Sequence, residues 1–325
     1  MKLAARIGLL LGLCVTVALI ARIGGAAILQ LLLQAKWQLP WLIPLHAIPL
    51  LLDAAGWRTL LAPVRNIRTL FWIAALREGI NRLLPVANIG GEVVGIRLLI
   101  RQGVDAPVAT ASVVVETLLT LVSQCIFAAV GLACLVQVAG RAPIEVDILL
   151  SLGLSVLIVL GFGRLLKHGS AFQRIERAAA RLLANFSRNS VRFNGKSLDD
   201  CIRNLLAAPR RLTVAALWQF SGLLVGCTET WLILRWLGHP VPAGAAIAVE
   251  SLTQTARNIF FMVPAGLGIQ EAGLIGLGGI IGIDAEVALS LSLAKRLREI
   301  SFALPALAVW QLWEGRRSTS RILLP

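Results

Sequence analysis

Long apolar runs separated by short polar stretches organise this chain. Windows 7–33, 39–61, 107–138, 147–166, 210–237 and 286–313 are built mainly of Leu, Ala, Val and Ile. Each is long enough to cross about 30 Å of hydrocarbon, which takes roughly 20 apolar residues in a helix. A lone span in lipid must satisfy its backbone N–H and C=O groups within its own segment, so each window predicts a helix. The pattern therefore predicts six membrane-spanning helices and an all-α polytopic membrane protein.

Composition agrees with that pattern. Hydrophobic residues make up 57% of the 325 positions and charged residues 15%, with a mean hydropathy of +0.80, which excludes an ordinary soluble globular domain. The first window follows Lys2 and Arg6 as a signal peptide would, but its apolar run continues past Arg22 through Leu33, so a retained helix is expected. Four of the five cysteines, Cys14, Cys125, Cys134 and Cys227, fall inside predicted spans, and with Cys201 they read as small apolar fillers without metal-ligand spacing.

The distribution of charge sets an orientation. Residues 164–211 carry 11 Lys and Arg against three acidic residues, and by the positive-inside rule this loop faces the cytoplasm. Arg65, Arg68, Arg77 and Arg82 after the second window, Lys2 and Arg6 near one end, and Arg316, Arg317 and Arg321 near the other point the same way. Six spans with both termini cytoplasmic satisfy all four groups, as expected for a multi-pass membrane protein. The basic loop lacks interleaved aromatics for base stacking, so nucleic acid is not the expected partner; anionic lipid headgroups are. Phe172, Ile175, Ala179, Leu182 and Phe186 recur at helical spacing opposite Arg174, Arg177, Arg181 and Arg188, the pattern of a helix lying in the interface or of a solvated linker helix.

The sequence also repeats itself. LPVANIGGE at 84–92 aligns with VPAGLGIQE at 263–271, and GVDAPVA at 103–109 with GIDAEVA at 282–288, both at an offset of 179 (264 − 85 and 282 − 103). Residues 84–109 give nine identities in 26 positions without a gap, where this composition gives on the order of two by chance. The register predicts one membrane domain over 1–325: a first repeat over 39–138, a linking span and basic loop over 139–217, and an inverted second repeat over 218–317. Inverted repeats with broken helices at their interface are a common transporter architecture.

If 84–102 crossed the bilayer once, the basic loop would land outside. Both Gly- and Pro-rich segments are therefore expected to be re-entrant helical hairpins, with Glu92 and Glu271 at their tips facing each other across a polar cavity. Two readings of these carboxylates stand side by side: a ligand or proton role, and capping of the hairpin's own backbone N–H groups. AKRLRE at 294–299 places Lys295, Arg296, Arg298 and Glu299 inside the sixth span. Lys295 and Glu299, at i and i+4, are expected to pair and leave Arg296 and Arg298 surplus. Glu116 occupies the position of Lys295 in the first copy (295 − 179). These opposed signs suit either an interhelical salt bridge or the binding of an anionic phosphate by Arg forks. Glu250, Gln254, Arg257 and Asn258 share one helical face, and Arg77 with Asn81 precedes the first hairpin. Asp53 with Arg58 and Glu229 with Arg235 read as packing pairs near span ends.

These segments carry a resemblance. LLPVANIGGEVVGIRLL with ASVVVET, and VPAGLGIQEAGLIGL with LAKRLRE, are similar to the flippase-domain proteins akin to the transmembrane region of lysylphosphatidylglycerol synthase. They look closest to the hopanoid-biosynthesis-associated membrane proteins of the HpnL type. The resemblance implies a bacterial inner-membrane protein concerned with moving a polar lipid between leaflets. No soluble aminoacyl-transferase domain is expected after RILLP, and so no lipid aminoacylation.

Three functions compete. The leading expectation is a flippase that moves a polar or anionic lipid, a hopanoid or a phospholipid, with Arg296, Arg298, Lys295, Glu92, Glu271, Arg257, Asn258 and Glu116 contacting the headgroup. GxxxxGK[ST] is absent from the sequence, so transport is expected to be downhill or ion-coupled, with Glu92 or Glu271 taking the proton. A noncatalytic partner of lipid-biosynthetic enzymes is the alternative. An enzyme is not expected: His46, His168 and His239 are the only histidines and lack the spacing of a metal site, and no cofactor or metal is implied.

Overall fold

The computed structural model describes residues 14, 17–35, 37–61, 66–83, 90–139, 153, 164, 195–260, 263 and 266–322. Every regular element among them is helical. Two short helices, α1 (Val17–Ile23) and α2 (Gly25–Gln34), lead through a 3-10 turn at Leu39–Trp41 into α3 (Leu42–Leu60). There follow α4 (Ile67–Leu83), α5 (Gly90–Arg101), α6 (Ala106–Ala139), α7 (Gly195–Leu206), α8 (Pro209–Trp236), α9 (Ala243–Ile259), α10 (Ile269–Ile280) and α11 (Ala285–Ile322).

Leu39–Leu60, Ala106–Val138 and Pro209–Trp236 are long and apolar enough to cross a membrane, in agreement with three of the expected windows. The first window departs from expectation. It is not one straight helix: α1 and α2 meet at 90° around Gly24, whose φ of 117° few other residues adopt. The window at 147–166 and the amphipathic pattern at 172–186 lie outside the described residues. The sixth window corresponds to α11, a helix whose apolar face points out and whose charges point in. Leu297, Ile300 and Leu304 are exposed, whereas Lys295, Arg298 and Glu299 are buried. This is the reverse of a soluble protein's surface and suits a helix bathed in lipid.

The helices of the two copies correspond element by element. At the 179-residue offset α5 falls on α10 end for end, and the first residue of α6 falls on that of α11. Even the helix endings match. Gly103 and Gly282 have φ of 80° and 81°, and the following N–H returns to the carbonyl five residues back, Val104 to Leu99 at 3.1 Å and Ile283 to Gly278 at 2.8 Å, a Schellman closure.

Packing follows the same register. A Cβ on Gly79 would lie 3.1 Å from Ala303, joining α4 to α11; the equivalent pair, Asn258 and Gln124, joins α9 to α6 through a 2.6 Å hydrogen bond. Helices α3 and α8 meet each other across small residues. Gly56 lies against Ala215 and Gln219, and Gly222 lies against Pro49 and Leu52, so the two helices run antiparallel in close contact. α4 and α9 each form a helical hairpin with the 12-residue helix that follows, α5 and α10. At about 18 Å these partners are too short to cross the hydrocarbon.

Candidate functional site: a belt of buried ion pairs

In the first copy the charges converge on Arg77 of α4. Its guanidinium lies 4.6 Å over the ring of Trp57, and one terminal nitrogen reaches both oxygens of Glu116 at 3.0 and 2.8 Å. The other terminal nitrogen donates to Glu92 in the first turn of α5. α5 admits this side chain only because it carries glycines: a Cβ on Gly95 would come within 2.7 Å of Cδ of Arg77. Asn81 tightens the hairpin, accepting the N–H of Gly91 at 2.8 Å and donating to Glu92 at 3.4 Å.

The second copy uses different cations. Glu271, fully buried in the first turn of α10, accepts the N–H of Gly268 at 2.7 Å and the hydroxyl of Ser292 at 3.0 Å. Arg296 grips both of its oxygens, at 2.7 and 3.2 Å. Lys295 pairs with Glu250, which also accepts from Thr230 and, at 3.0 Å, from Gln254. Gln124 links Gln254 to Asn258.

A third group ties the copies together. Arg298 lies 2.9 Å from Glu229 and 3.7 Å from Glu299 and donates to Nδ1 of His46. His46 donates from Nε2 to Glu78 at 2.9 Å. Arg82 stands 3.8 Å from both Glu78 and Glu299, and Arg257 is 3.3 Å from Glu299. Arg257 also donates to Gln270, whose amide reaches Ser292 at 2.8 Å and so meets the Glu271 group. Among the described residues, seven carboxylates thus face six Lys and Arg side chains. Burial without such partners would cost several kcal/mol per charge.

Several expectations change. Lys295 does not pair with Glu299, and Arg296 and Arg298 are not surplus, because α8, α9 and α10 supply Glu229, Glu250 and Glu271. The i,i+4 rule considers one helix surface, whereas a packed helix finds its partners across the interface. Glu116 and Lys295 do not join each other; each is held within its own copy. Glu229 pairs with Arg298 rather than with Arg235, which lies over Trp231. Glu92 and Glu271 are held by different partners, and Glu271 combines the two readings given to it, capping its helix and binding a guanidinium. Glu250, Gln254, Arg257 and Asn258 do share one polar face.

His46, Glu78, Arg82 and Gln270 also belong to this belt, although the hydropathy pattern did not place them there. One signal was present for Glu78: the offset places it on Arg257 (257 − 179), a second sign reversal beside Glu116 and Lys295. Apart from the belt, an apolar groove of about 430 Å³ lies between the end of α3 and the start of α8, lined by Thr59, Ala208, Pro209, Val214, Arg210 and Arg211.

Neither curated proteins nor solved structures give a match. The family described as the lysylphosphatidylglycerol synthase transmembrane region matches residues 6–308, so the buried charges and both hairpins fall within the match, as do α3–α10 and the greater part of α11. The chain belongs to the lysylphosphatidylglycerol synthase transmembrane-region family.

Proposed function

We propose that this protein moves a polar or anionic lipid, a phospholipid or a hopanoid, between the leaflets of a bacterial inner membrane. The two copies act as inverted halves, and the headgroup passes between them while the tails stay in lipid. The observation that carries this reading is the belt itself. Buried ion pairs are often no more stabilising than a well-packed apolar interior, so stability alone gives little reason for so many charges between these helices. Guanidiniums already bidentate on carboxylates, as Arg296 is on Glu271, are suited to exchange that partner for a phosphate of similar geometry. Arg298, Lys295, Arg257, Asn258, Glu92 and Glu116 line the same route. The antiparallel contact of α3 and α8 supports the inverted arrangement, in which each half closes one side of the passage. Arg210 and Arg211 on the rim of the apolar groove suit an anionic lipid at the basic face.

The test uses purified protein in vesicles with fluorescent phosphatidylglycerol in the inner leaflet and a membrane-impermeant quencher outside. The protein should render the inner pool quenchable, and Arg296→Lys and Arg298→Lys, which keep the charge but lose the planar fork, should slow it by about tenfold. Kinetics identical to those of empty vesicles across several headgroups would favour a noncatalytic partner of lipid-biosynthetic enzymes instead.

A further inference from the structure

Among the described members of the belt only His46 has a charge that ordinarily changes near neutral pH. It is surrounded by charges from each helix packed on α3: Glu78 from α4, Glu229 from α8, and Arg298 with Glu299 beside it from α11. The one charged residue of α6, Glu116, is engaged by Arg77, and α3 itself contributes Asp53 and Arg58 further along. The edge of Phe302 closes over the ring at 5.2 Å.

The two ring nitrogens have opposite neighbours. Nε2 faces a carboxylate oxygen of Glu78 at 2.9 Å, an acceptor, so Nε2 carries the hydrogen. Nδ1 faces a terminal nitrogen of Arg298, which can only donate, so Nδ1 offers its lone pair. The arrangement accommodates the neutral ring in one tautomer. Glu229 is placed to serve either neighbour: one of its oxygens lies 2.9 Å from Nε of Arg298, and the other lies 3.7 Å from Nδ1 of His46.

We infer that His46 is a proton-binding site whose protonation releases Arg298 to receive an anionic lipid headgroup, an inference that rests on the lipid-moving function above. A proton on Nδ1 sets an N–H and a positive charge against the guanidinium. The nearest acceptor for that N–H is Glu229, which turns from Arg298 to the imidazolium. Among the described residues Arg298 then keeps Glu299 as its ion-pair partner, 3.7 Å away and already shared with Arg257 and Arg82. Its planar fork is left for a phosphate or similar oxyanion. The proton and the headgroup thus enter together, which couples lipid movement to a proton gradient without a nucleotide site.

The tautomer is directly observable. The full chain has three histidines, so ¹⁵N-histidine labelling in lipid nanodiscs gives few signals, and His46→Gln assigns the one needed. At pH 8 the His46 signals should be those of the Nε2–H neutral ring. On acidification the imidazolium should appear, and the Nε signal of Arg298, assigned with Arg298→Lys, should move with the same midpoint; Glu229→Gln should uncouple the two. In the vesicle assay wild-type transport of phosphatidylglycerol should rise by about tenfold or more between pH 8 and 6, and His46→Gln should flatten that profile. An Nδ1–H tautomer, an Arg298 signal indifferent to the His46 proton, or an unchanged pH profile in a folded His46→Gln protein would each overturn the inference. Coupled His46 and Arg298 titrations with no transport at any pH would instead remove the lipid-moving function and leave the proton site standing.

Discussion

In the first copy one guanidinium, that of Arg77, joins two carboxylates, Glu92 and Glu116. In the second copy Lys295 and Arg296 each hold one, Glu250 and Glu271. The helices obey the repeat, and so do Glu92 and Glu271, but the cations do not. Arg77 sits on α4 and reaches Glu116 on α6, whereas the cation of the corresponding pair, Lys295, sits on α11 and reaches Glu250 on α9. The direction of this pair is reversed between copies while its place between the same two types of helix is kept; Glu92 and Glu271 stay at equivalent positions but take their cations from α4 and α11. The sign reversal gives the two copies distinct partners. In the proposed inverted arrangement, two identical halves would set like charges against each other, a costly arrangement in a medium of low dielectric. Reversed signs let the belt be nearly neutral.

The largest test of this asymmetry removes one carboxylate from each copy. Glu271 is fully buried, and Arg296 holds both of its oxygens, so Glu271→Gln should cost about 3–5 kcal/mol, the penalty for breaking a buried pair. Glu92 is 24% exposed, and its partner Arg77 keeps Glu116; Glu92→Gln should cost about 1 kcal/mol or less. Thermal unfolding of the two variants in the same detergent compares them directly. Equal losses would mean that the two hairpins are electrostatically equivalent and that the contrast drawn from their partners is wrong.

A smaller effect tests the packing that goes with each charge pattern. The positions equivalent to Gly91 and Gly95 of α5 are Gln270 and Leu274 of α10. A Cβ on Gly91 would come 2.4 Å from the carbonyl oxygen of Arg77 and 2.8 Å from Oδ1 of Asn81, so α5 approaches α4 more closely than any side chain there allows. Gly91→Ala should cost about 1–3 kcal/mol through forced separation of the hairpin and should weaken the reach of Arg77 to Glu92. In α10 the space is filled by Gln270, which bridges Arg257 and Ser292. Limited proteolysis and unfolding temperature would detect the loss, and a Gly91→Ala protein as stable as wild type would show that the first hairpin is less tightly closed than this.

Much of the scaffold was readable before any coordinates. Apolar windows located α3, α6 and α8 because a span's length and composition are local properties, and the offset of 179 aligned α5 with α10 because both begin after a Gly-rich break with a Glu in the first turn. The bend at Gly24 was hidden, since a hydropathy average is blind to one residue's φ. Pairing was less legible still. Lys295 and Glu299 look like partners on a helical wheel, yet Lys295 reaches 45 residues back to Glu250, and Arg298 reaches His46 at a separation of 252 residues. Partners at such separations are chosen by tertiary packing, and the periodicity of one helix carries no information about them. The proton-bearing member was obscured for a similar reason: His46 corresponds to Val225 in the other copy, so the repeat gives no hint of it.

The smallest effect concerns a feature in which the copies should behave alike. Gly103 and Gly282 close α5 and α10 at φ of 80° and 81°, with nothing within 4 Å of the Cβ either would gain. Space is therefore not at issue, and an alanine pays only for the left-handed backbone, about 1–2 kcal/mol. Gly103→Ala and Gly282→Ala should lower stability by the same amount within about 0.5 kcal/mol, and the double variant by their sum, since the two sites share no partner. Asn at either position should cost less than Ala, because its side chain tolerates the left-handed region. Should one site prove silent while the other is costly, the matched Schellman endings would not be equivalent supports, and the asymmetry seen in the charges would extend into the backbone of the repeat.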